Sequence, residues 1–167
     1  MSKTVELTTS AGTVRLELDE IKAPVTVANF LAYVNAGHYD GTIFHRVIKG
    51  FMIQGGGFDA QFEQKATKDQ ITNEANNGLK NDKYTVAMAR TNAPHSASAQ
   101  FFINANDNGF LNHTGETAQG WGYAVFGKVV SGIEVVDQLE RVATGRRGQH
   151  DDVPKEDVLI LKAVEIS

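Results

Sequence analysis

Cysteine is absent from the 167-residue sequence, so disulfide bonds, thiolate nucleophiles and metal sites with cysteine ligands are excluded. Long apolar runs are absent too, and none approaches the roughly 20 residues that a helix needs to cross a bilayer. The first residues, M-S-K-T-V-E-L-T-T, alternate as in a strand and contain no apolar core of a secretory signal. These absences predict a cytoplasmic protein that does not act at a membrane.

The sequence also lacks an excess of positive charge. Lys and Arg number 16 against 20 Asp and Glu, and the net charge of -4 gives no basic footprint for nucleic acid. None of the five histidines is spaced from another as metal ligands are, and the carboxylates are scattered. Gly55-Gly56-Gly57 lacks the pattern of a phosphate-binding loop that leads into a helix. We therefore expect no metal, no cofactor and no nucleic-acid partner.

Short strand-like segments dominate what is present. Hydrophobic residues make up 41% and charged residues 22%, as in ordinary globular proteins, so we expect residues 1–167 to form one domain. One helix is predicted from Pro24 to about Gly37, and a second from Ser131, which has capping-box spacing to Glu134. Alternating apolar residues indicate strands near 4–8, 13–18, 47–48, 51–53, 84–89, 100–104, 123–130 and 158–166. This pattern favours a mainly β fold, closed or nearly closed and antiparallel.

The segment Phe44–Gly57, F-H-R-V-I-K-G-F-M-I-Q-G-G-G, predicts a hairpin that carries two unexpected polar residues. Lys49-Gly50 is the predicted turn, and Met52 and Gln54 share one face of the second strand. An arginine at position 46 beside an apolar surface, with an amide close to a thioether, is typical of a pocket wall with a few placed donors. The alternative is that Arg46 caps the hairpin and lays its stem along the surface.

The letters Q-F-F-I-N, beginning at Gln100, repeat this alternation. Gln100 and Phe102 share one face, which again places an amide beside an apolar side chain. Phe110 and Leu111 add apolar side chains to a loop of Asn, Asp and Gly. The alternative is ordinary packing, with Phe102 in the core and Phe110 sealing one end of a barrel. The polar stretch 58–83 is long for a loop, so we expect short elements within it or a role in framing a site.

Two stretches, Phe44–Gly56 and Ser98–Ile103, resemble the central motifs of the cyclophilin-type peptidyl-prolyl cis-trans isomerases. The resemblance extends over nearly the whole chain and includes the helix A-P-V-T-V-A-N-F and the strand Val125–Val129. The Q-G-W-G-Y and V-A-T-G-R segments are similar to those of the bacterial cytosolic members, the peptidyl-prolyl isomerase B group. The family implies a closed eight-stranded antiparallel β-barrel, capped by two α-helices, with its groove on the outer surface.

The resemblance also implies a role for each site residue. Arg46 would be catalytic, and the apolar residues would form a proline pocket with Phe110 at its rim. The glutamines would contact the substrate backbone, and residues 90–92 would offer backbone contacts along the groove. The implied substrate-binding residues are Phe51, Met52, Gln54, Arg90, Thr91, Asn92, Gln100, Phe102, Phe110, Leu111 and Tyr123. Substrates would be proline-containing peptides and unfolded or flexible protein segments, and we expect the enzyme to be a monomer.

The chain departs from the family pattern at three places. The segment M-A-R-T-N-A-P-H around Arg90 is one residue longer than the commoner M-A-N-A-G-P-N. Phe110 stands where many members carry tryptophan, whose indole N–H is a donor that phenyl lacks, so we expect weak cyclosporin binding. Tyr123 stands where many eukaryotic members have histidine.

The chemistry of isomerisation explains why such residues would suffice. Rotation about an X–Pro bond breaks amide resonance at a barrier of about 18–20 kcal/mol, and no bond is made or cleaved. A fixed, permanently charged guanidinium could donate to the prolyl nitrogen only when that nitrogen becomes pyramidal in the transition state. The rival interpretation is a non-catalytic proline-binding module on the same fold, against which Arg46 counts. His45, next to Arg46, is expected on the opposite face and hydrogen-bonded behind the site.

Overall fold

The computed structural model describes residues 3–166, which form a strongly curled antiparallel sheet with two α-helices. The helices are α1 (Pro24–Asn35) and α2 (Ile133–Glu140). The strands are β1 (Lys3–Thr9), β2 (Gly12–Leu18), β3 (Thr42–Ile43), β4 (Arg46–Ile48), β5 (Met52–Gly55), β6 (Thr85–Met88), β7 (Phe101–Asn104), β8 (Val125–Ser131), β9 (Thr144–Arg147), β10 (His150–Pro154) and β11 (Leu159–Glu165). The predicted mainly β class with two helices is confirmed.

Nine strands form the main sheet, in the order β3-β11-β1-β2-β8-β6-β7-β5-β4. The expected count of eight rises to nine because the two-residue strand β3 pairs with the first two residues of β11. The two edge strands, β3 and β4, are separated in the chain only by Phe44 and His45. In the part of the chain that the structure describes, no ladder joins these edges, so the sheet curls into a half-barrel.

The main core fills the concave side of the sheet. Alternate residues of β1 and β2 point inward, and Val5, Leu7 and Leu16 are fully buried. Helix α1 closes one end by placing Phe30 among the aromatic rings, with its centroid 5.4 Å from Phe101 in an edge-on contact. This packing accounts for the helical spacing of the apolar residues in α1.

The second helix does not begin as predicted. Strand β8 continues through Ser131, and the helix starts after Gly132, with no side-chain hydrogen bond at its N-cap. Gly132 has a φ of 87°, and a Cβ atom there would lie 2.3 Å from the carbonyl oxygen of Thr13. A close passage over β2, which only glycine permits, therefore sets the start of α2. The capping box of Ser131 and Glu134 was the wrong interpretation of this junction.

The polar stretch 58–83 contains the short elements that its length predicted. A 3₁₀ turn occupies Ala75–Asn77, and Ile71 forms an isolated bridge with Ala97. The carboxylate of Glu74, just before that turn, accepts the backbone N–H of Thr26 at 2.7 Å in the first turn of α1. The stretch thus ties the helix to the outside of the sheet.

The strands β9 and β10 lie outside the main sheet. The hairpin of β9 and β10 was not predicted, because T-G-R-R-G-Q-H-D-D-V-P has no alternation of apolar residues. This hairpin forms a separate two-stranded sheet, and β10 packs against β4. Within residues 3–166, neither helix is long and apolar enough to cross a bilayer.

Candidate active site

A row of residues crosses four neighbouring strands on the outer face of the sheet. Arg46 in β4 stands opposite Gln54 in β5, Gln54 stands opposite Phe102 in β7, and Phe102 stands opposite Ala87 in β6. Residues at matching register positions share a face, so the antiparallel pairing itself brings an arginine, an amide and a phenyl ring together. This row places Arg46, Gln54 and Phe102 side by side at the candidate site.

The alternation inferred from the sequence is confirmed on both strands. Ile53 and Phe101 turn inward and belong to the main core. Met52 and Phe102 turn outward into a second apolar cluster that also contains Val125. A second, smaller core thus lies outside the half-barrel, beneath the row.

A cavity of about 110 Å³ opens above this second cluster. We call it the small cavity; its lining residues are Arg46, Phe51, Met52, Gln54, Ala89, Arg90, Phe102, Leu111 and Tyr123. Eight of these nine were implied as site residues by the sequence, and the ninth is Ala89. An apolar floor with a few polar groups at its rim is the usual form of a site for a small apolar ring.

The Arg46 side chain is exposed at one edge of the small cavity. Among residues 3–166, no carboxylate forms an ion pair with its guanidinium. Its hydrogen-bond donors therefore remain available to a bound molecule.

The two predicted glutamines meet beside Arg46. The Gln54 side-chain nitrogen donates to the side-chain oxygen of Gln100 at 2.9 Å. Gln100 fits there because residue 57 is glycine, since a Cβ atom at Gly57 would lie 2.4 Å from the Gln100 amide nitrogen. Glycine at position 57 thus makes room for the site.

Aromatic contacts hold the walls of the small cavity. Phe51 stacks on Phe110 with ring centroids 5.6 Å apart, and Phe110 is 75% exposed. Phe102 meets Tyr123 edge-on, and the Arg90 guanidinium lies 4.7 Å from the centroid of the Tyr123 ring. The implied rim position of Phe110 fits this arrangement.

The segment after β6, which is one residue longer than the commoner family pattern, contributes only some of its side chains to the small cavity. Arg90 lines the small cavity and donates to the carbonyl oxygen of Gly122 at 2.9 Å. Thr91 and Asn92 are exposed and do not line the small cavity. Both the backbone N–H and the hydroxyl of Thr91 donate to the Ser96 hydroxyl oxygen. The expected backbone contacts of residues 91 and 92 with substrate remain a prediction.

A buried amide network, which the sequence interpretation missed, lies behind the site. Asn81 and Asn104 are 0% exposed, and the Asn104 amide donates to the Asn81 side-chain oxygen at 3.1 Å. The Asn81 amide also donates to the backbone carbonyl oxygens of Leu111 and Tyr123, at 3.2 Å each. Two walls of the small cavity are therefore held through their backbones. The available signal was an asparagine at the end of an otherwise apolar strand, at position 104.

His45 does not have the hydrogen bond that we expected. The residue is 5% exposed, and its Nδ1 atom has no hydrogen-bond partner within the described chain. Its ring packs on Phe58 at 4.6 Å and faces His150 at 6.4 Å. Burial, followed by the charges of His150 and Arg46, lowers the pKa of His45 from 6.5 to about 4, so the imidazole is neutral at neutral pH.

Two of the larger cavities in the described part of the chain differ in how they relate to the small cavity. The first, of about 480 Å³, is lined in part by the end of β2 and the start of β8, and it contains none of the row residues Arg46, Gln54 and Phe102. The second, of about 550 Å³, adjoins the small cavity and shares Arg46 and Gln54 with it. In residues 3–166, no group of three or more His, Asp or Glu side chains is arranged to hold a metal ion.

The sequence was compared with known families and proteins. The family described as cyclophilin type peptidyl-prolyl cis-trans isomerase matches residues 4–165. The chain is 64% identical over 160 residues to peptidyl-prolyl cis-trans isomerase cyp18 of Streptomyces antibioticus, covering 96% of each chain. It is 63% identical over 152 residues to peptidyl-prolyl cis-trans isomerase B of Escherichia coli strain K12, covering 91% of this chain and 93% of that one.

The fold was compared with solved structures in the same way. A cyclophilin type peptidyl-prolyl cis-trans isomerase of Cryptosporidium parvum superposes with a TM-score of 0.79 at 29% identity. That match covers 100% of this chain and 99% of the other. The same parasite protein in the presence of the dipeptide Ala-Pro gives a TM-score of 0.77 at 29% identity, covering 98% of this chain and 99% of that one.

Proposed function

The chain belongs to the cyclophilin-type peptidyl-prolyl cis-trans isomerases, and we propose that Arg46 is the residue with which it stabilises the twisted transition state. The reaction is rotation about an X–Pro peptide bond, whose barrier of about 18–20 kcal/mol comes from lost amide resonance. In the planar ground state the prolyl nitrogen has no free lone pair. The lone pair returns when the bond twists, so a donor at that position binds the transition state selectively.

The observation that carries this proposal is the position of Arg46. Its guanidinium lies at the edge of an apolar cavity of about 110 Å³, without an ion-pair partner in residues 3–166. A prolyl ring seated on Met52 and Phe102 would present its nitrogen toward that edge. A hydrogen bond to a charged group contributes roughly 1.5–3 kcal/mol, which corresponds to about a ten- to hundredfold gain in rate.

The remaining residues would hold the substrate in place. Phe51, Leu111 and Tyr123 would close around the ring, and the Gln54 amide, oriented by Gln100, would bind the substrate backbone. Restricting the peptide in this way lowers the entropy lost on reaching the transition state. The Ala-Pro dipeptide studied with the parasite relative supports proline-containing peptides as ligands of this chain too.

Further parts of the proposal concern partners and setting. We expect a monomeric, single-domain enzyme that works in the cytoplasm on unfolded or flexible protein segments. The lack of cysteine fits a reducing compartment. Weak binding of cyclosporin is proposed because Phe110 offers no side-chain donor at the rim.

The test is protease-coupled isomerisation of a short, uncharged X–Pro peptide by the wild type, Arg46→Ala and Arg46→Lys. We expect Arg46→Ala to fold normally and to lose about ten- to hundredfold in kcat with little change in KM. Arg46→Lys should recover only part of the rate, because lysine lacks the planar fork of donors. A non-catalytic binding module would instead give no acceleration by the wild type, and near wild-type turnover by a folded Arg46→Ala would contradict the role of Arg46.

A further inference from the structure

A second, polar cavity of about 550 Å³ continues from the proposed active site. It shares two walls, Arg46 and Gln54, with the small cavity. We call it the polar cavity; its other lining residues are His45, Phe58, Gln64, Gln100, Gln149, His150, Asp151 and Asp152. Because the two cavities share walls, a peptide with its proline in the small cavity has flanking residues within reach of the polar cavity.

The far wall of the polar cavity comes from the β9–β10 hairpin. The pairing register jumps from His150 opposite Arg147 to Val153 opposite Gly145. Asp151 and Asp152 lie in this irregularity, and Asp152 has a φ of 62°, in the left-handed region. Two adjacent carboxylates are thereby presented to the cavity instead of lying regularly in the ladder.

These two carboxylates have no counter-charge of their own. Within residues 3–166, neither Asp151 nor Asp152 forms an ion pair. The nearby cation in the sequence, Arg147, is engaged elsewhere, since it forms an ion pair with Asp157 at 3.1 Å and lies 4.6 Å over the ring of Phe62. Apart from its two histidines, the charged groups that line the polar cavity are two carboxylates, Asp151 and Asp152, and one guanidinium, that of Arg46.

The polar cavity also has a buried wall that carries no charge of its own. His45 lines the polar cavity, is 95% buried, and has no partner for its Nδ1 atom in the described chain. The His45 imidazole is neutral at neutral pH because burial lowers its pKa to about 4, so it adds no positive charge beside Asp151 and Asp152.

The cavity also offers an apolar surface to a long side chain. The Phe58 ring lies against His45 on one side and is met edge-on by His150 at 5.3 Å on the other. A lysine or arginine stem packs well on such rings while its charged end reaches a carboxylate.

We propose that the polar cavity is a subsite for a basic side chain close to the proline in the substrate, with Asp151 and Asp152 as its charge partners. This inference rests on the proposed function, because it assumes that the proline occupies the small cavity. It assigns to the β9–β10 hairpin a part in selecting substrates, separate from the rotation step at Arg46.

The experiment compares matched peptides that carry lysine or uncharged norleucine one or two residues before or after the proline. For each position, kcat/KM is measured in protease-coupled or magnetisation-exchange assays with the wild type, Asp151→Asn/Asp152→Asn and Glu156→Gln. Glu156 is exposed, lies near the same hairpin and lines neither cavity, so it controls for the loss of negative charge alone.

We expect the lysine peptide to exceed the norleucine peptide about three- to fivefold in at least one position, as for a partly exposed ion pair. This ratio should fall toward one in Asp151→Asn/Asp152→Asn and in high salt, and should persist in Glu156→Gln. A ratio of one at every position in the wild type, or one that the double variant leaves unchanged, overturns the subsite. If neither peptide is isomerised faster than without enzyme, the proposed function itself fails, which is a different result.

Discussion

The Asn108 side-chain amide donates a hydrogen bond of 2.9 Å to the backbone carbonyl oxygen of Phe51. Asn108 is 2% exposed, and its amide also donates to the side-chain oxygen of Asn104 at 2.8 Å. The carbonyl of Phe51 accepts a second bond from the backbone N–H of Ala105. Phe51, one wall of the small cavity, is therefore fastened to the loop that precedes Leu111, another of its walls.

Asn108→Ala is expected to lower the free energy of unfolding by about 1–2 kcal/mol, because the oxygen of Asn104 is left buried without that donor. It should also raise KM about two- to fivefold with little change in kcat, because Phe51 loses one of its two anchors. Urea unfolding and peptide kinetics measure the two effects. The matched control is Asn106→Ala, an exposed residue that donates to Gly50 at 3.1 Å, which should cost less than about 0.5 kcal/mol. Equal effects from the two variants would contradict the role of Asn108.

Gly57→Ala is expected to fold and yet to impair the site. A Cβ atom at position 57 would overlap three atoms of the Gln100 side chain at 2.4–2.6 Å, and that flexible side chain must move. The bond from Gln54 to Gln100 would break, so kcat/KM should fall about three- to tenfold, with a small change in stability. A double-mutant cycle checks the cause, because in a Gln100→Ala background the glycine substitution should have no further effect. An undiminished effect there would mean that the backbone, not Gln100, is disturbed.

Phe110→Trp is expected to tighten cyclosporin binding about two- to tenfold. The ring at this position is 75% exposed and stacked on Phe51, so an indole fits without disturbing the core and adds an N–H donor. Isomerisation of a short peptide should change less than twofold. Calorimetry with the wild type and with Phe110→Leu as an apolar control measures the difference, and equal affinity of wild type and Phe110→Trp would refute it.

His45 is expected to make the protein less stable in acid. The folded chain binds a proton at His45 only near pH 4, whereas the unfolded chain binds one near pH 6.5. The unfolded state therefore holds more protons between these values, and the free energy of unfolding falls as pH drops through this window. The loss is at most about 3.5 kcal/mol, at about 1.4 kcal/mol per pH unit over about 2.5 units. Urea unfolding from pH 7 to 4 measures it, and His45→Gln should flatten the wild-type slope between pH 6.5 and 4.

The same pKa predicts a flat pH profile of catalysis. From about pH 6 to 9 His45 stays neutral, an arginine side chain is permanently charged, and rotation transfers no proton. The value of kcat/KM on an uncharged peptide should then change only slightly over this range. A bell-shaped profile, or a limb near pH 6.5 that disappears in His45→Gln, would indicate that a charged imidazole takes part.

The sequence predicted the parts of this molecule that depend on local alternation. Strict alternation of side chains predicted that Met52 and Gln54 share one face, and that Gln100 and Phe102 share one face. The strand pairing then aligned Gln54 and Phe102 with Arg46. The resemblance of the two motifs to a known family extended the prediction to the other walls of the small cavity. Local alternation and the two motifs were therefore enough to predict a site residue wherever its position on one face of a strand decides whether it lines the small cavity.

The features that the sequence did not predict depend on contacts between distant segments. The start of α2 depends on how closely Gly132 passes Thr13. The surroundings of His45 depend on His150, about a hundred residues further along the chain. The amide network joins Asn81 to Asn104. From the sequence, Asn81 was predicted only to lie in a polar loop, and Asn104 only to end a strand. None of these contacts leaves a periodic trace in the sequence.

Strand β4 is an edge of the main sheet, paired only with β5 in the described chain, and the β9–β10 hairpin packs against it. An uncovered edge is a template on which any extended chain can add as a further strand. Extended, incompletely folded chains are the proposed clients, and they would meet this edge at every encounter because it carries Arg46. The hairpin over β4 limits such strand addition, so a client can be held by its proline and released without being captured through its backbone.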